Sequence, residues 1–204
     1  MVRRLRTLPA LCVLPVLLTA CGTEKAGTGS PADPAELASR ARASGIAPEH
    51  VYVTEVSGFT LAQQSVGVYG GDGFSATYVS AQGGGQLHLR VDRGTMTAES
   101  CPRRPVGTAS GARTTCERDG EAWYRSGGGQ REYAVPKKGH VVRITGEGVE
   151  RDVLRQAARS VHRPSDAELD TLLPPASGPT EPVERGDLPP VGDGAPDNNV
   201  GTSG

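Results

Sequence analysis

The chain has 204 residues, with 22 Lys and Arg against 23 Asp and Glu and aromatic residues at only 4%. Arg3, Arg4 and Arg6 fall in residues 1–20, and Arg185 falls with five acids in residues 176–204, so the segment between balances at 18 basic and 18 acidic side chains. Phosphate backbones are bound by a basic excess, and a neutral body excludes nucleic acid as the partner.

The chain opens with MVRRLRT, which carries three Arg and no acid, and runs into LPALCVLPVLL at residues 8–18. A membrane-spanning helix needs about 20 apolar residues, and this run is shorter and broken by Pro9 and Pro15. A basic segment followed by a short apolar one reads as an export signal. It ends in Leu18-Thr19-Ala20-Cys21-Gly22. The sequence LTAC resembles the lipobox of bacterial lipoproteins: Leu, two small residues, then Cys. The resemblance implies that the Cys21 thiol carries a diacylglyceryl group and that the chain is cut after Ala20. Two acyl chains hold a protein to a bilayer stably where one does not. The lipid bilayer is then a partner through Cys21, and residues 1–20 are a signal peptide. The excess of Arg over Lys and the wealth of Ala and Gly resemble uncharacterised lipoproteins of actinobacteria, which implies the outer face of the cytoplasmic membrane.

Residues 21–32 have no apolar periodicity and are expected to form a flexible tether of roughly 20 Å root-mean-square span. Residues 176–204 hold five Pro and six Gly, with five acids against Arg185, and are expected to be a disordered acidic tail. A single extracytoplasmic domain, residues 33–175, lies between them.

Asp33-Pro34-Ala35-Glu36 combines an N-cap acid, Pro at the first helical position and Glu three residues after the cap, so a short helix should follow and stop at Gly45. Period two then sets in: Val51 and Val53 against Tyr52 and Thr54, then Ala62, Gln64, Val66 and Val68, then Phe74, Ala76 and Tyr78. Leu87, Leu89 and Val91 face one way, with His88, Arg90 and Asp92 facing the other. Further strands are expected at 113–117, 122–125, 130–135 and 141–145, with short glycine-rich links that favour antiparallel hairpins. Val149, Val153, Leu154, Ala157, Ala158 and Val161 form one helical stripe, with Glu150, Arg151, Arg155 and Arg159 opposite. Ser165-Asp166-Ala167-Glu168 reads as a capping box for a last helix bearing Leu169, Leu172 and Leu173. The order predicts an α+β domain: an antiparallel β-sheet of six to eight short strands, a short N-terminal helix and a C-terminal helix packed on one face.

Cys101 and Cys116 are the other cysteines after the cut, and export places them where thiols pair. A disulfide closing a loop of about 15 residues contributes roughly 3 kcal/mol in the loop-entropy model. Zinc is the rival reading, but it favours close pairs such as C-x2-C, and no His lies within five residues of either cysteine. Arg103, Arg104, Arg113 and Arg118 in and beside that loop form an anion-contact candidate for lipid headgroups or a wall polymer, set against a solvated loop in an Arg-rich chain. GGDG and GGG lack the strand-to-helix context of phosphate loops and read as turns. His50, His88, His140 and His162 show no paired spacing, and the residues assign no catalytic, metal or cofactor site. Trp123 is expected in the core beside the disulfide, with Tyr124 on the other face.

These features favour a lipid-anchored binding, accessory or sensing module of the cell envelope, with an envelope or membrane protein as a possible partner. An envelope hydrolase or transferase with a dispersed site, and a small solute-binding component, are the alternatives. The single body is small for a two-lobed solute binder.

Overall fold

A computed structural model describes residues 29–176. Cys21, the rest of the tether up to residue 28 and the tail from residue 177 lie outside the described residues. The first helix, α1 (Pro34–Ala43), begins where its cap requires: the Asp33 carboxylate accepts the N–H groups of Ala35 and Glu36, both at 2.9 Å. Gly45 at φ +74° follows its end.

Seven strands follow: β1 (Phe59–Tyr69), β2 (Gly73–Ser80), β3 (Gln86–Arg93), β4 (Thr115–Asp119), β5 (Ala122–Gly127), β6 (Gln130–Pro136) and β7 (His140–Glu147). They form one antiparallel sheet in the order β1-β2-β3-β7-β6-β5-β4, followed by α2 (Arg151–Arg159) and α3 (Asp166–Leu172). The fold is the expected α+β domain. Both capping residues of the α3 box are engaged, Ser165 with the Glu168 N–H and Glu168 with the Ser165 N–H. Among the described residues no helix is long and apolar enough to cross a membrane.

Two meanders make the sheet. β1–β2–β3 fold back in sequence, residues 94–114 then cross to the far edge, and β4–β5–β6–β7 return until β7 pairs with β3. The inner face presents Phe74, Leu87, Leu89, Val91, Val142 and Ile144, all buried against Leu154, Ala157, Leu169 and the segment around Val51 and Val53. Gly146 permits a close approach, because a Cβ there would run into the Val149 and Leu154 side chains.

Two expected strands differ. Residues 51–54 form no strand; the Val51 and Val53 N–H groups bond to the carbonyls of Pro48 and His162, and the Thr54 N–H bonds to the Tyr78 hydroxyl. Val51, Val53 and Thr54 are all buried, so the apolar alternation does not mark a half-exposed strand. In β1 a bulge between Ala62 and Gly67 breaks the register, and the Ser65 hydroxyl fills it by accepting the Thr77 N–H at 2.7 Å.

The crossing 94–114 covers part of the outer face. Met96 and Cys101 pack there with Ala134 and Val141, flanked by Cys116 and Trp123. Trp123 is therefore half-buried beside the cysteine pair rather than in the main core, where Tyr124 packs instead. Cys101 and Cys116 stand at disulfide distance, with Cα atoms 6.3 Å apart and a sequence separation of 15. Deeper under the crossing, the fully buried Arg125 donates to the Glu132 carboxylate and to the carbonyls of Cys101, Arg104 and Pro105.

Two outcomes follow for denaturant unfolding. Replacing Cys101 and Cys116 together by Ser should lower stability by about 3 kcal/mol, since it frees a loop of that length in the unfolded chain; an unchanged midpoint would refute the contribution. Arg125→Met should cost about 3–5 kcal/mol by leaving Glu132 buried without its partner. Adding Glu132→Leu should recover part of that loss, and a double variant no more stable than the single one would place the loss elsewhere.

Candidate functional site

Arg151, Arg155 and Arg159 follow one another at four-residue spacing on α2, forming one stripe. The sequence puts this stripe on the face opposite the core, yet Arg151 and Arg155 are half-buried. The reason lies in the edge strand. Register places Glu117 of β4 beside Tyr124 and Tyr133 on the inner face, with Asp119 two residues on, so carboxylates meet the helix just past the apolar core.

Asp119 is the hub. Its Oδ2 accepts the Tyr133 hydroxyl at 2.6 Å and Arg155 Nε at 2.8 Å, and its Oδ1 lies 3.8 Å from the Arg159 guanidinium. Arg151 donates to Glu117 at 2.6 Å and stacks 3.9 Å from the Tyr124 ring centroid. The Tyr133 and Arg155 donors hold the Asp119 carboxyl below its usual range. Burial, and then the bond to Asp119, push the Tyr133 phenol up. Arg155 is raised by Asp119, and Arg151 by Glu117. These shifts all favour the charge states that the ion pairs and the phenol hydrogen bond require.

Beside the hub lies a cleft of about 380 Å³, bounded by the β4–β5 turn, the end of β6 and the C-terminal half of α2. Gly120 at φ +63° takes the first position of that two-residue turn, where a hairpin favours glycine. Lys137, Arg155 and Arg159 supply three cations to the lining, against Asp119 and Glu121, over apolar side chains that include Val135, Ala158 and Val161. Arg159 is 73% exposed. The Lys137 ammonium sits 5.8 Å from the Tyr52 ring centroid and enters no ion pair among the described residues.

Tyr52 links the cleft to a second cluster that sequence spacing did not disclose. His50 and His140, ninety residues apart in the chain, are both buried with ring centroids 5.3 Å apart. His140 Nε2 lies 3.3 Å from the Tyr52 hydroxyl, and His50 Nδ1 lies 3.0 Å from the Asp72 carbonyl. Burial first, and then the neighbouring His50, push the His140 imidazole below its ordinary value. Arg163 stacks over the Tyr52 ring, 5.2 Å from its centroid, and donates to the carbonyls of Val51 and Pro48. A further crevice of about 350 Å³ between α3 and β1 is apolar, and burial pushes its Tyr78 hydroxyl up to about 12.

The four arginines of the expected anion contact have separate surroundings. Arg118 stacks 5.0 Å from the Trp123 centroid and donates to the Gly120 carbonyl. Arg104 is half-buried against Gly94, and Arg103 is exposed. Arg113 lines a shallow pocket with Arg131 and none of the other three. Among the described residues no three His, Cys, Asp or Glu side chains are placed to hold a metal ion. No family model, curated protein or solved structure matches the chain.

The lowered His140 fixes a pH dependence. The unfolded chain takes up a proton near the ordinary histidine value of 6.5, while the folded protein resists it to lower pH. The unfolded state then binds more protons, and stability must fall as pH drops below that value. Melting temperatures between neutral pH and mildly acidic pH should show this fall, and His140→Gln should flatten it; an equal fall in the variant would assign it to other groups.

Proposed function

We propose that the protein is a lipid-anchored domain on the outer face of the cytoplasmic membrane, where it binds rather than transforms its ligand. The anchor rests on LTAC behind a basic and apolar leader, with Cys21 as the acylated residue. The observation that carries the binding reading is the fixed charge around the cleft: a carboxylate kept ionised by a phenol and an arginine, beside Lys137 and Arg159, over an apolar floor. Few convergent polar groups over an apolar lining are what a small-molecule site needs, and 380 Å³ lies within the roughly 300–1,000 Å³ of such sites. In this reading the domain is an accessory or sensing module, and an envelope or membrane protein acts with it. The four-arginine surface around the Cys101–Cys116 loop is a lesser candidate, because its members line no common cleft.

Cys21→Ala should move the protein from the membrane fraction to the medium, or leave it with its leader uncut, as read by fractionation and mass measurement. Normal membrane retention of the processed variant would refute the anchor.

A further inference from the structure

The cleft and the departing tether share one short stretch of chain. Pro31 bridges Ser165, and the Ala32 N–H donates to the Pro164 carbonyl at 3.1 Å. The Asp166 N–H in turn donates to the Ser30 carbonyl at 3.2 Å. The last described backbone contact on the way to Cys21 is therefore at Asp166, five residues along from Val161, which lines the cleft, and at most roughly 18 Å of chain from it. From Gly29 back to Cys21 the chain spans at most roughly 28 Å, so an anchored Cys21 keeps this part of the domain within that distance of the headgroups.

The charges here are not all used internally. Asp119 already accepts from Tyr133 and Arg155, and Glu121 lies exposed on the turn. Arg159 reaches Asp119 only at 3.8 Å, and Lys137 contacts an aromatic ring rather than a carboxylate. Three cations against two carboxylates leave the lining at +1, in a domain whose described residues balance overall at 17 basic and 17 acidic side chains. A phosphate group seated between Lys137 and Arg159 gains two charge-assisted partners and leaves the Tyr133 and Arg155 bonds to Asp119 in place, competing only with the longer Arg159–Asp119 pair. The Ala158, Val161 and Val135 side chains beneath would take the adjoining carbon atoms.

We infer that this cleft binds the phosphate of a phosphate-bearing ligand, with Lys137 and Arg159 as its contacts. The phosphate comes either from an anionic phospholipid headgroup of the membrane beside the tether or from a soluble phosphate compound. The lipid source rests on the anchored reading; the site itself does not.

The test uses the processed chain, residues 21–204 with Cys21→Ala, which keeps every described residue and has no thiol at position 21 to acylate. One arm measures co-sedimentation with phosphatidylcholine vesicles with and without phosphatidylglycerol. The other titrates inorganic phosphate and glycerol phosphate by calorimetry. Vesicle binding that needs phosphatidylglycerol, with Lys137→Ala and Arg159→Ala each weakening it about fivefold and Arg113→Ala leaving it unchanged, supports the headgroup source. Binding of the soluble phosphates with the same dependence, and none to vesicles, supports the soluble source. No binding in either arm, or binding that follows Arg113 and ignores Lys137 and Arg159, overturns the site. Melting curves of the two variants establish that they are folded. None of these outcomes depends on acylation, so failure of the phosphate site and failure of the anchor are separate results.

Discussion

One buried guanidinium, that of Arg125, determines how the outer layer of this protein sits on its sheet. A charge out of water is tolerated when it is paired and hydrogen-bonded. Arg125 is paired with the Glu132 carboxylate and donates from Nη2 to three carbonyls of the crossing, while its Nε is buried without a hydrogen-bond partner among the described residues. Burial pushes the Glu132 carboxyl up, with Arg125 opposing it. The carbonyls matter equally, because a loop pressed on a sheet offers its own backbone no ladder. Arg125 is also the register partner of Cys116, whose mate Cys101 lies in the same crossing. The guanidinium ties the crossing to β5, and the cross-link ties it to the paired edge strand, β4. That strand carries Asp119, and through Asp119 the constraint reaches the cleft.

On the inner face a different device sets the distance. Gly146 lets α2 sit low on β7, so the apolar side of the helix reaches Ile144 and Leu89 while its arginine stripe comes level with the edge strands. Had the helix stood higher, Arg151 and Arg155 would project into water and pair weakly with Glu117 and Asp119. The stripe instead closes the open side of the core. Tyr124 and Tyr133 complete that closure, their rings 5.2 Å apart, with Arg151 stacked on the first and the Tyr133 hydroxyl turned to Asp119.

How legible this was in the sequence depends on the range of each signal. Local chemistry was readable: the Asp33 cap, the Ser165–Glu168 box, the hairpins and the two-faced pattern of Leu87, Leu89 and Val91 each depend on neighbours within a few residues. The crossing of residues 94–114 was not readable, because antiparallel pairing of β3 with β7 leaves no mark on either strand. The stretch 51–54 misled because burial on all sides can mimic alternation when the intervening residue is a tyrosine. Arg151 and Arg155 were placed on the right side of their helix, but the surface they meet belongs to a strand more than thirty residues earlier. His50 and His140 offered no signal at all. Their meeting follows from the Pro48–His50 turn lying at the start of β7, a consequence of topology alone.

A neutral total charge does not describe the charge of any one place. Around α2 the carboxylates are engaged most closely by the arginines nearest the core, so that Arg159 at the end of the stripe pairs with Asp119 only at 3.8 Å, and Lys137, in the link from β6 to β7, enters no ion pair among the described residues. The same end of the helix runs into residues 162–166, where His162 bridges Val53, Ser165 caps α3 and the chain from the N-terminus is received. The cleft and the place where the N-terminal segment joins the domain thus lie along one continuous segment. The crossing that carries Arg103 and Arg104 lies over the opposite face of the sheet. The two basic surfaces therefore point away from each other, and the first described residues, Gly29 to Ala32, lie along residues 164–166, on the segment that continues from the cleft.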